Sequence, residues 1–491
     1  MRDVAWVVAG RPDYLAVVDD SGEYSVRRLV EEAERLAGLT TGTVLVQADN
    51  SWRTVVAALA AGLGDGVLAV VNQHTTRAEF AAAYEDLQPD VMIAAPSTAD
   101  DWAVAGERIP VLDGWVAMSG DGPRDTSRWD GGRFVGLTSG STGRAKGVVQ
   151  TEEALRYACQ RTIEVNGLAP GDPVAAIVPL SSTAAFCFGV YLSLMLGGPL
   201  VLMDRWDPAR AVARMAETDV RWTMCVPTMA LQMGAAAAGS RALTGVRSIT
   251  VGGGPMDRAA LARAEQSLGT KILRVFGMSE CLGHTSPSPD DPEEIRLGRD
   301  GRPFTGTHLR AVSGSGAALG PGETGHAQVR GPSLFLGYAR DGKVEPAALT
   351  ADGFFPTGDL LVTHDDGTVT IMGREKDVII RGGRNIDITE IERAVAGHPR
   401  VEQACVVPVP DEVLGERVAL LAVTRDGAAL DLASVTGFLG EHGLSKTKWP
   451  EYVFTVDDLP QTKVGKLDRK GAREVARQRH AVTAGETAVP H

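Results

Sequence analysis

The chain has 491 residues, which suggests two to four compact units and allows a large hydrophobic core. Hydrophobic residues make up 44% and charged residues 23%, an ordinary composition for a soluble globular protein. Acidic residues outnumber basic ones by 62 to 49, and the net charge of −13 argues against a general binder of nucleic acid or of membrane surfaces.

The first 280 residues alternate strands with helices. Predicted helices span 24–37, with Ser25 as N-cap, and 51–63, 76–87, 152–165, 207–217 and 256–268. Predicted strands span 43–47, 67–71, 91–95, 222–226, 246–251 and 271–276. This alternation is typical of an α/β fold with mainly parallel sheets and helices on both faces.

An uncharged window from Pro173 to Met203 requires a test for a membrane span. Its longest helix-compatible run, 184–196, is too short to cross a bilayer, which takes about 20 residues. We therefore expect a buried strand, a buried helix, a Gly-Gly-Pro turn and a strand at 200–203, with no membrane segment.

The composition changes after about residue 300. Glycine and turn residues become dense, and short strands are predicted at 308–312, 325–330, 361–364 and 368–372. The chain changes again near Asp377, where a small α/β unit begins, with helices at 388–395 and 432–442 and strands at 405–408, 418–424 and 452–454. Asp387 and Glu390 have the spacing of a capping box. We predict a large domain over 1–376, β-rich from about 300, a small domain over 377–480, and a loose tail over 481–491.

Five scattered cysteines show no metal-ligand spacing and no C-x-x-C pair, so reduced, buried thiols are expected rather than disulfides or a zinc site. The N-terminus lacks the charged-then-apolar pattern of a signal peptide. Both observations favour a cytoplasmic protein.

The stretch Thr138-Ser-Gly-Ser-Thr-Gly-Arg-Ala-Lys146-Gly147 lies between two short apolar segments. Glycines let backbone N–H groups approach a ligand, hydroxyls add donors, and Lys146 supplies a compact cation suited to phosphate. The spacing departs from the Walker A pattern. A phosphate-binding loop is favoured over a flexible Ser/Gly surface loop.

Two further features follow predicted strands. Glu280, in Gly277-Met278-Ser279-Glu280, would lie where ligands bind in open α/β sheets, and its carboxylate could hold Mg²⁺. A solvated loop glutamate is the alternative. The turn Gly252-Gly253-Gly254 could expose backbone groups to an adenine edge, or be only a tight strand-to-helix turn.

Three further motifs follow in the chain: Thr357-Gly-Asp359, Gly373-Arg374-Glu-Lys-Asp377 and Leu459-Pro-Gln-Thr-Lys-Val-Gly-Lys466-Leu-Asp-Arg469. Together, the motifs resemble those of the adenylate-forming superfamily, which includes acyl- and aryl-CoA synthetases, peptide-synthetase adenylation domains and luciferases. The resemblance covers nearly the whole chain. It implies ATP and Mg²⁺, a large ATP- and substrate-binding domain, and a small mobile C-terminal domain that rotates about Asp377.

The resemblance also implies residue roles. Phe276 would line the adenine site, Ser279 contact the α-phosphate and Glu280 bind Mg²⁺. Asp359 would bind both ribose hydroxyls, with Arg374 beside it. Lys466 would bridge the substrate carboxylate and the α-phosphate, and the loop with Gly382 and Gly383 would border the thiol tunnel. The catalytic set is Thr138, Lys146, Glu280 and Lys466. The full ATP set is Thr138, Ser139, Gly140, Ser141, Thr142, Gly143, Lys146, Gly252, Gly253, Gly254, Phe276, Gly277, Met278, Ser279, Asp359, Arg374 and Lys466.

The expected substrate pocket is formed by Ser182, Phe186, Val226, Gly252, Met278 and His284. No carboxylate is evident there to hold an α-ammonium group, so an aryl or modest-size acyl acid is favoured over an amino acid.

Two departures from the family pattern bear on the acceptor. Ser181 and Ser182 stand where many acyl-CoA synthetases have an aromatic residue and a histidine, and Ile388 stands where the family has a proline. The expected reaction is acyl-adenylate formation with pyrophosphate release, then transfer to a thiol, with coenzyme A favoured.

The alternatives are a carrier-protein phosphopantetheine thiol, or an amine that accepts an adenylated acid or oxyanion without a thiol. A catalytically silent nucleotide-binding relative is a third. The joint presence of Glu280, Asp359 and Lys466 argues against it.

Overall fold

The computed structural model describes residues 10, 13–138, 145–254, 256–375, 377–381, 384–411, 414–463 and 465–486. The chain forms two compact units that are discontinuous in sequence. The first comprises Met1–Gly253, Ala262–Leu309 and Val329–Phe355, and the second comprises Gly254–Leu261, Arg310–Gln328 and Pro356–His491. The domain boundary predicted at 376 and 377 stays a prediction.

The first unit contains a seven-stranded sheet within the described residues. Its neighbouring strands are parallel except for the last pair, which is an antiparallel hairpin. In spatial order the strands are Lys271–Arg274, Ser248–Val251, Trp222–Cys225, Val174–Ala176, Leu200–Leu202, Leu15–Asp19 and Gly22–Ser25.

A nine-stranded sheet completes the first unit's main framework. Its four central strands pair in parallel, and antiparallel strands extend it on both sides. In spatial order the strands are Lys343–Pro346, Gly337–Arg340, Lys146–Gln150, Phe134–Thr138, Val67–Asn72, Thr43–Ala48, Val91–Ala94, Trp115–Ser119 and Ile109–Val111. A short pair, Thr285–Ser286 and Arg302–Pro303, lies apart from both sheets.

Side-chain caps fix where several helices begin. Ser25 accepts from the backbone N–H of Arg28, and Thr76 forms a reciprocal capping box with Glu79. The described helices up to residue 298 are Val26–Ala37, Trp52–Leu63, Arg77–Leu87, Pro96–Asp101, Glu152–Asn166, Thr183–Ala185, Leu192–Leu196, Pro208–Glu217, Pro227–Ala237, Arg258–Leu268 and Glu293–Gly298, with a 3₁₀ turn at Ser127–Trp129.

The uncharged window differs from the expectation in one respect. It contains the expected strand, helical segment and second strand, but Phe186–Tyr191 is a π-helix rather than part of a regular α-helix. Among the residues that the structure describes, no helix is both long enough and apolar enough to cross a membrane.

One hydrophobic core joins the two sheets of the first unit. It includes Val44 and Leu68 from the nine-stranded sheet and Val174 and Trp222 from the seven-stranded sheet. The helix Trp52–Leu63 is buried along most of its length, which explains why it is apolar on all sides.

The second unit contains most of a four-stranded sheet formed by His308–Val312, Thr324–Arg330, Phe355–Thr363 and Val369–Arg374. These strands match the predicted β-rich segment. A five-stranded sheet follows, with the order Arg384–Asp387, Val378–Arg381, Gly415–Thr424 and Val401–Asp411, and with Tyr452–Thr455 paired to Gly415–Thr424. The accompanying helices are Ile388–Ala396, Leu432–Glu441 and Arg469–Glu486, with a 3₁₀ turn at Lys446–Lys448.

Two details of the second unit correct the sequence-based picture. The Asp387 side chain accepts from the N–H of Thr389, while the Glu390 carboxylate contacts Lys448 Nζ at 2.6 Å. The last helix continues to residue 486 and so includes residues 481–486, which the sequence assigned to a loose tail. Residues 487–491 lie outside the described part.

All five cysteines are buried and free, which confirms the prediction of buried thiols. Burial raises the pKa of Cys225, Cys281 and Cys405 to about 12. The mixed α/β architecture confirms the predicted fold class.

Candidate active site

The predicted phosphate loop connects two antiparallel strands, Phe134–Thr138 and Lys146–Gln150. Thr138 pairs with Lys146 across this hairpin, and the Thr138 hydroxyl donates to the Lys146 carbonyl oxygen at 3.3 Å. The predicted ATP-binding residues Ser139, Gly140, Ser141, Thr142 and Gly143 lie outside the described residues. The hairpin therefore fixes Thr138 and Lys146, the two ends of the loop.

A tyrosine that the sequence did not single out lies between two predicted catalytic residues. The Lys146 ammonium is 4.7 Å from the centre of the Tyr338 ring, and the Tyr338 hydroxyl donates to Glu280 Oε1 at 2.9 Å. Burial and the Glu280 charge raise the pKa of Tyr338, so its hydroxyl stays a donor. The structure thus brings Lys146 and Glu280 together through one aromatic ring.

Backbone contacts fix the segment that carries Glu280. The Glu280 carbonyl accepts from the N–H of Phe335 at 2.8 Å, and the Ser279 carbonyl accepts from Gln150 Nε2 at 2.7 Å. Gln150 is fully buried and ends the strand that begins at Lys146. The loop strand and the Glu280 segment are therefore held in one arrangement.

The strand Lys271–Arg274 ends two residues before Phe276, earlier than expected. The last residue of this strand forms a buried ion pair, in which Arg274 Nε and Nη2 donate to the Asp300 carboxylate at 2.8 and 3.0 Å. The Thr285 hydroxyl accepts from the N–H of Phe276 and donates to the Asp300 carbonyl. These contacts position Phe276, the residue that the resemblance predicts to line an adenine site.

His284 is fully buried beside Phe276, and the two rings are nearly perpendicular with centroids 4.8 Å apart. Burial lowers the pKa of His284 to about 3, so the imidazole is neutral at physiological pH. Within the described part of the chain, neither ring nitrogen forms a hydrogen bond of ordinary geometry, although the Cys281 backbone lies near enough to oppose the fall in the pKa of His284. A buried polar group of this kind is costly unless a further partner satisfies it.

The glycine turn follows the strand Ser248–Val251. The Gly252 N–H donates to the Cys225 carbonyl at 3.2 Å, and a Cβ at Gly252 would lie 2.9 Å from a Val275 methyl group. Gly253 has a φ of 82°, which favours glycine. The turn is thus a close-packed feature at the carboxyl ends of adjacent parallel strands, where Val226 also lies.

Two predicted pocket residues occupy different surroundings. Ser182 is half-buried at the start of the helical segment 183–196, whereas Phe186 is fully buried and stacks on Phe134 at 4.4 Å. Phe186 therefore packs against the strand that leads into the phosphate loop. Beside Ser182, the Ser181 hydroxyl accepts from Asn72 Nδ2 at 2.9 Å.

The predicted ribose residues pair within the second unit. Asp359 and Arg374 are opposite each other on antiparallel strands, with Arg374 Nε 3.4 Å from Asp359 Oδ1. Asp359 is 5% exposed, and burial raises its pKa from 3.8 to about 6 even though Arg374 lowers it. Arg374 is exposed. The structure places a desolvated carboxylate next to a cation.

Lys466 is exposed in a tight turn of the second unit. The Lys466 carbonyl accepts from the N–H of Thr462 at 2.6 Å, and the Lys466 N–H donates to the Thr462 hydroxyl at 3.1 Å. The predicted hinge residue Asp377 precedes the strand Val378–Arg381. Gly382 and Gly383 lie outside the described residues.

The residues present fit a magnesium ion that is bound mainly by substrate phosphates. Across the described ranges, no group of three or more His, Cys, Asp or Glu side chains could form a metal cage. Mg²⁺ commonly needs only one or two carboxylates when phosphates and water complete its shell, and Glu280 can supply one.

Together, the fold and these local arrangements define an adenylate-forming ligase. The family model described as "AMP-binding enzyme" matches residues 4–339, and the one described as "AMP-binding enzyme C-terminal domain" matches residues 390–466. The chain belongs to the AMP-binding enzyme family, within the adenylate-forming superfamily that its motifs resemble.

Curated relatives and solved structures agree with this assignment. A salicylyl-CoA synthase / salicylate adenylyltransferase from Streptomyces sp is 32% identical over 510 residues, covering 95% of this chain and 91% of the relative. A 2,3-dihydroxybenzoate-AMP ligase from Bacillus subtilis (strain 168) is 35% identical over 70% of this chain, but the match spans only 64% of that relative. ATP-bound MatB from Rhodopseudomonas palustris superposes with a TM-score of 0.85 at 26% identity, covering 98% of this chain and 99% of that one.

Proposed function

We propose that this protein activates an aromatic carboxylic acid with ATP and transfers the acyl group to a thiol, with coenzyme A favoured. The observation that carries the proposal is the Lys146–Tyr338–Glu280 arrangement, which joins a cation and a carboxylate at the strands that flank the Ser/Gly-rich loop. Charged groups of both signs suit a magnesium-bound polyphosphate.

The chemistry is an in-line attack of the substrate carboxylate on the α-phosphorus of ATP, with pyrophosphate leaving. No protein nucleophile is required, because positioning and charge stabilisation lower the barrier. Thr138 and Lys146 bind phosphate oxygens, Asp359 accepts from the ribose hydroxyls, and Lys466 stabilises the charge on the transferred group. Mg²⁺, bound near Glu280, would neutralise phosphate charge.

An aromatic acid with a hydrogen-bonding ring substituent fits His284. The neutral, buried His284 ring could donate to or accept from a hydroxyl group of the acid, which would give a full hydrogen bond to nitrogens that have none of ordinary geometry in the described part of the chain. The salicylate and dihydroxybenzoate activities named for the two relatives support this class of acid.

The test measures pyrophosphate release with benzoate, salicylate, 2,3-dihydroxybenzoate, a fatty acid and an amino acid, each with and without coenzyme A. We expect the hydroxylated aromatic acids to give the highest rates, with the acyl-CoA as product. Release without a thioester would favour a carrier-protein thiol or an amine as acceptor. These acceptors are the second candidate, because Ser181 and Ser182 replace the aromatic residue and the histidine of many acyl-CoA synthetases. No release with any acid would contradict the proposal.

Lys466→Ala provides a direct check of the mechanism. Loss of the lysine should abolish adenylation while ATP binding is largely kept, because other residues hold the nucleotide. Pyrophosphate release close to the wild-type rate would show that Lys466 has a different role.

A further inference from the structure

Arg469 is the first residue of the last helix and lies three residues after Lys466. Its side chain is 23% exposed, and its guanidinium forms a fork with the Glu392 carboxylate in which both N–H···O distances are 2.7 Å. Two parallel charge-assisted hydrogen bonds fix orientation as well as distance. Arg469 is therefore built into the second unit and does not extend freely into solvent.

Glu392 fastens this fork to the protein interior. It lies in the helix Ile388–Ala396, is 5% exposed, and its Oε1 also accepts from the N–H of Val406 at 2.8 Å. Arg469 Nη1 donates to the Val406 carbonyl at 3.3 Å. Burial alone would lower the pKa of Arg469, but Glu392 raises it above its ordinary value, so the guanidinium stays charged.

The remaining guanidinium nitrogen reaches the predicted hinge. Arg469 Nε is 3.3 Å from Asp377 Oδ2. The Asp377 backbone is also fixed, because its N–H donates to the Arg374 carbonyl at 3.0 Å and its carbonyl accepts from the N–H of Ile388 at 3.2 Å. Through Arg469, the Asp377 side chain is tied to the buried Glu392.

The Lys466 turn is joined to Arg469 by a short, stiff connection. Gln461 and Leu467 form a β-bridge, and the N–H of Asp468 donates to the Pro460 carbonyl at 2.8 Å. Asp468 Oδ1 accepts from the N–H groups of Lys470 and Gly471, at 3.1 Å each. These hydrogen bonds cap the helix that begins at Arg469. A shift of Arg469 would therefore move this turn.

We propose that Arg469 is a positioning residue that holds both the Asp377 carboxylate and the Lys466 turn on Glu392, so that the hinge and the lysine move as one piece. The proposal rests on the proposed roles of Asp377 and Lys466, and it assigns Arg469 no contact with substrate. The final arginine of the Leu-Pro-x-Thr-x-x-Gly-Lys-x-x-Arg motif thus acts through its neighbours.

The kinetic test compares Arg469→Lys with Arg473→Lys in the full-length chain. Arg473 is exposed on the same helix and serves as the matched control. Lysine keeps the charge of Arg469 but not the fork. We expect adenylation and transfer to thiol to fall by roughly 10- to 100-fold per folded molecule, with the KM for ATP nearly unchanged, because small displacements of positioned groups cost about this much. Rates within about twofold of wild type would overturn the proposal.

Amide hydrogen exchange tests the same inference without any activity. In Arg469→Lys, peptides covering 372–377 and 459–468 should lose protection together, while the strand Gly415–Thr424 keeps its protection. Glu392→Gln, which keeps an acceptor for Val406, should give the same pattern if Arg469→Lys folds poorly. Loss at only one of the two segments, or uniform loss across the unit, would refute the coupling even if the proposed ligase activity were absent.

Discussion

The buried carboxylate of Asp359 leads to the sharpest quantitative expectation. Burial raises its pKa from 3.8 to about 6, so the folded state binds the proton more tightly than the unfolded state. Ionisation of Asp359 therefore destabilises the folded protein at pH values above 6, and this penalty vanishes below pH 3.8. A difference of about two pKa units corresponds to roughly 3 kcal/mol.

Asp359→Asn removes this proton-linked penalty. Relative to the variant, the wild-type protein should lose roughly 1.5 kcal/mol of stability between pH 4.5 and pH 6, and only about 0.5 kcal/mol more up to pH 8. Thermal unfolding of both proteins across this range measures the difference, and groups common to both proteins cancel. In the role proposed for it, the carboxylate accepts from both ribose hydroxyls, which it does best when ionised, so wild-type ATP affinity should fall as the pH drops below 6.

Asp359→Asn should bind ATP weakly at every pH, without the step near pH 6. Thr357→Ala is a useful companion variant, because it removes a hydroxyl that accepts from the Asp359 N–H at 3.1 Å and that also holds down the pKa of the Asp359 carboxyl; its step should move to higher pH rather than vanish. Parallel unfolding profiles for wild type and Asp359→Asn, or pH-independent wild-type ATP binding, would refute the reasoning.

Three further outcomes follow from side-chain contacts and from burial within the units. Tyr338→Phe removes the donor to Glu280 and should raise the Mg²⁺ concentration for half-maximal adenylation roughly tenfold. The control Tyr84→Phe removes a tyrosine–carboxylate contact elsewhere and should leave that concentration unchanged. Equal effects of the two variants would contradict the proposed role of Glu280 in Mg²⁺ binding. Asp300→Ala leaves the buried Arg274 charge without its carboxylate and should cost roughly 3–5 kcal/mol in chemical denaturation; a loss below 1 kcal/mol would be inconsistent with burial of the pair. The five buried thiols should react with a disulfide reagent only after unfolding, and rapid labelling of the native protein would argue against their burial.

Local chemistry explains why most regular elements could be predicted from the sequence. Ser25, Ser51, Thr76 and Asp207 each accept a backbone hydrogen bond at the start of a helix, and short apolar runs between turn residues marked the parallel strands. The motifs singled out Lys146, Glu280, Asp359 and Lys466 because they resemble those of the superfamily, and the roles of these residues stay predictions.

What the sequence did not reveal depends on long-range packing. The π-helix at Phe186–Tyr191 is apolar on almost every side, so no periodicity distinguishes it from an α-helix. Tyr338 meets Glu280 only because the strand Gly337–Arg340 pairs with Lys146–Gln150, nearly 190 residues earlier in the chain. Arg469 stood in a recognised motif, but its contact with Glu392, 77 residues away, required the fold.

The pairing of the strand Gly337–Arg340 with Lys146–Gln150 also has a consequence for protein synthesis. The strand Lys146–Gln150 finds one neighbour at once, in the hairpin with Phe134–Thr138, but its other neighbour emerges from the ribosome only after a further 187 residues. Until then, one edge of the strand is open to pairing with other chains. In a nascent chain, the strand that follows the predicted phosphate loop is thus paired on one side long before the other, and this interval is when binding by a chaperone would matter most.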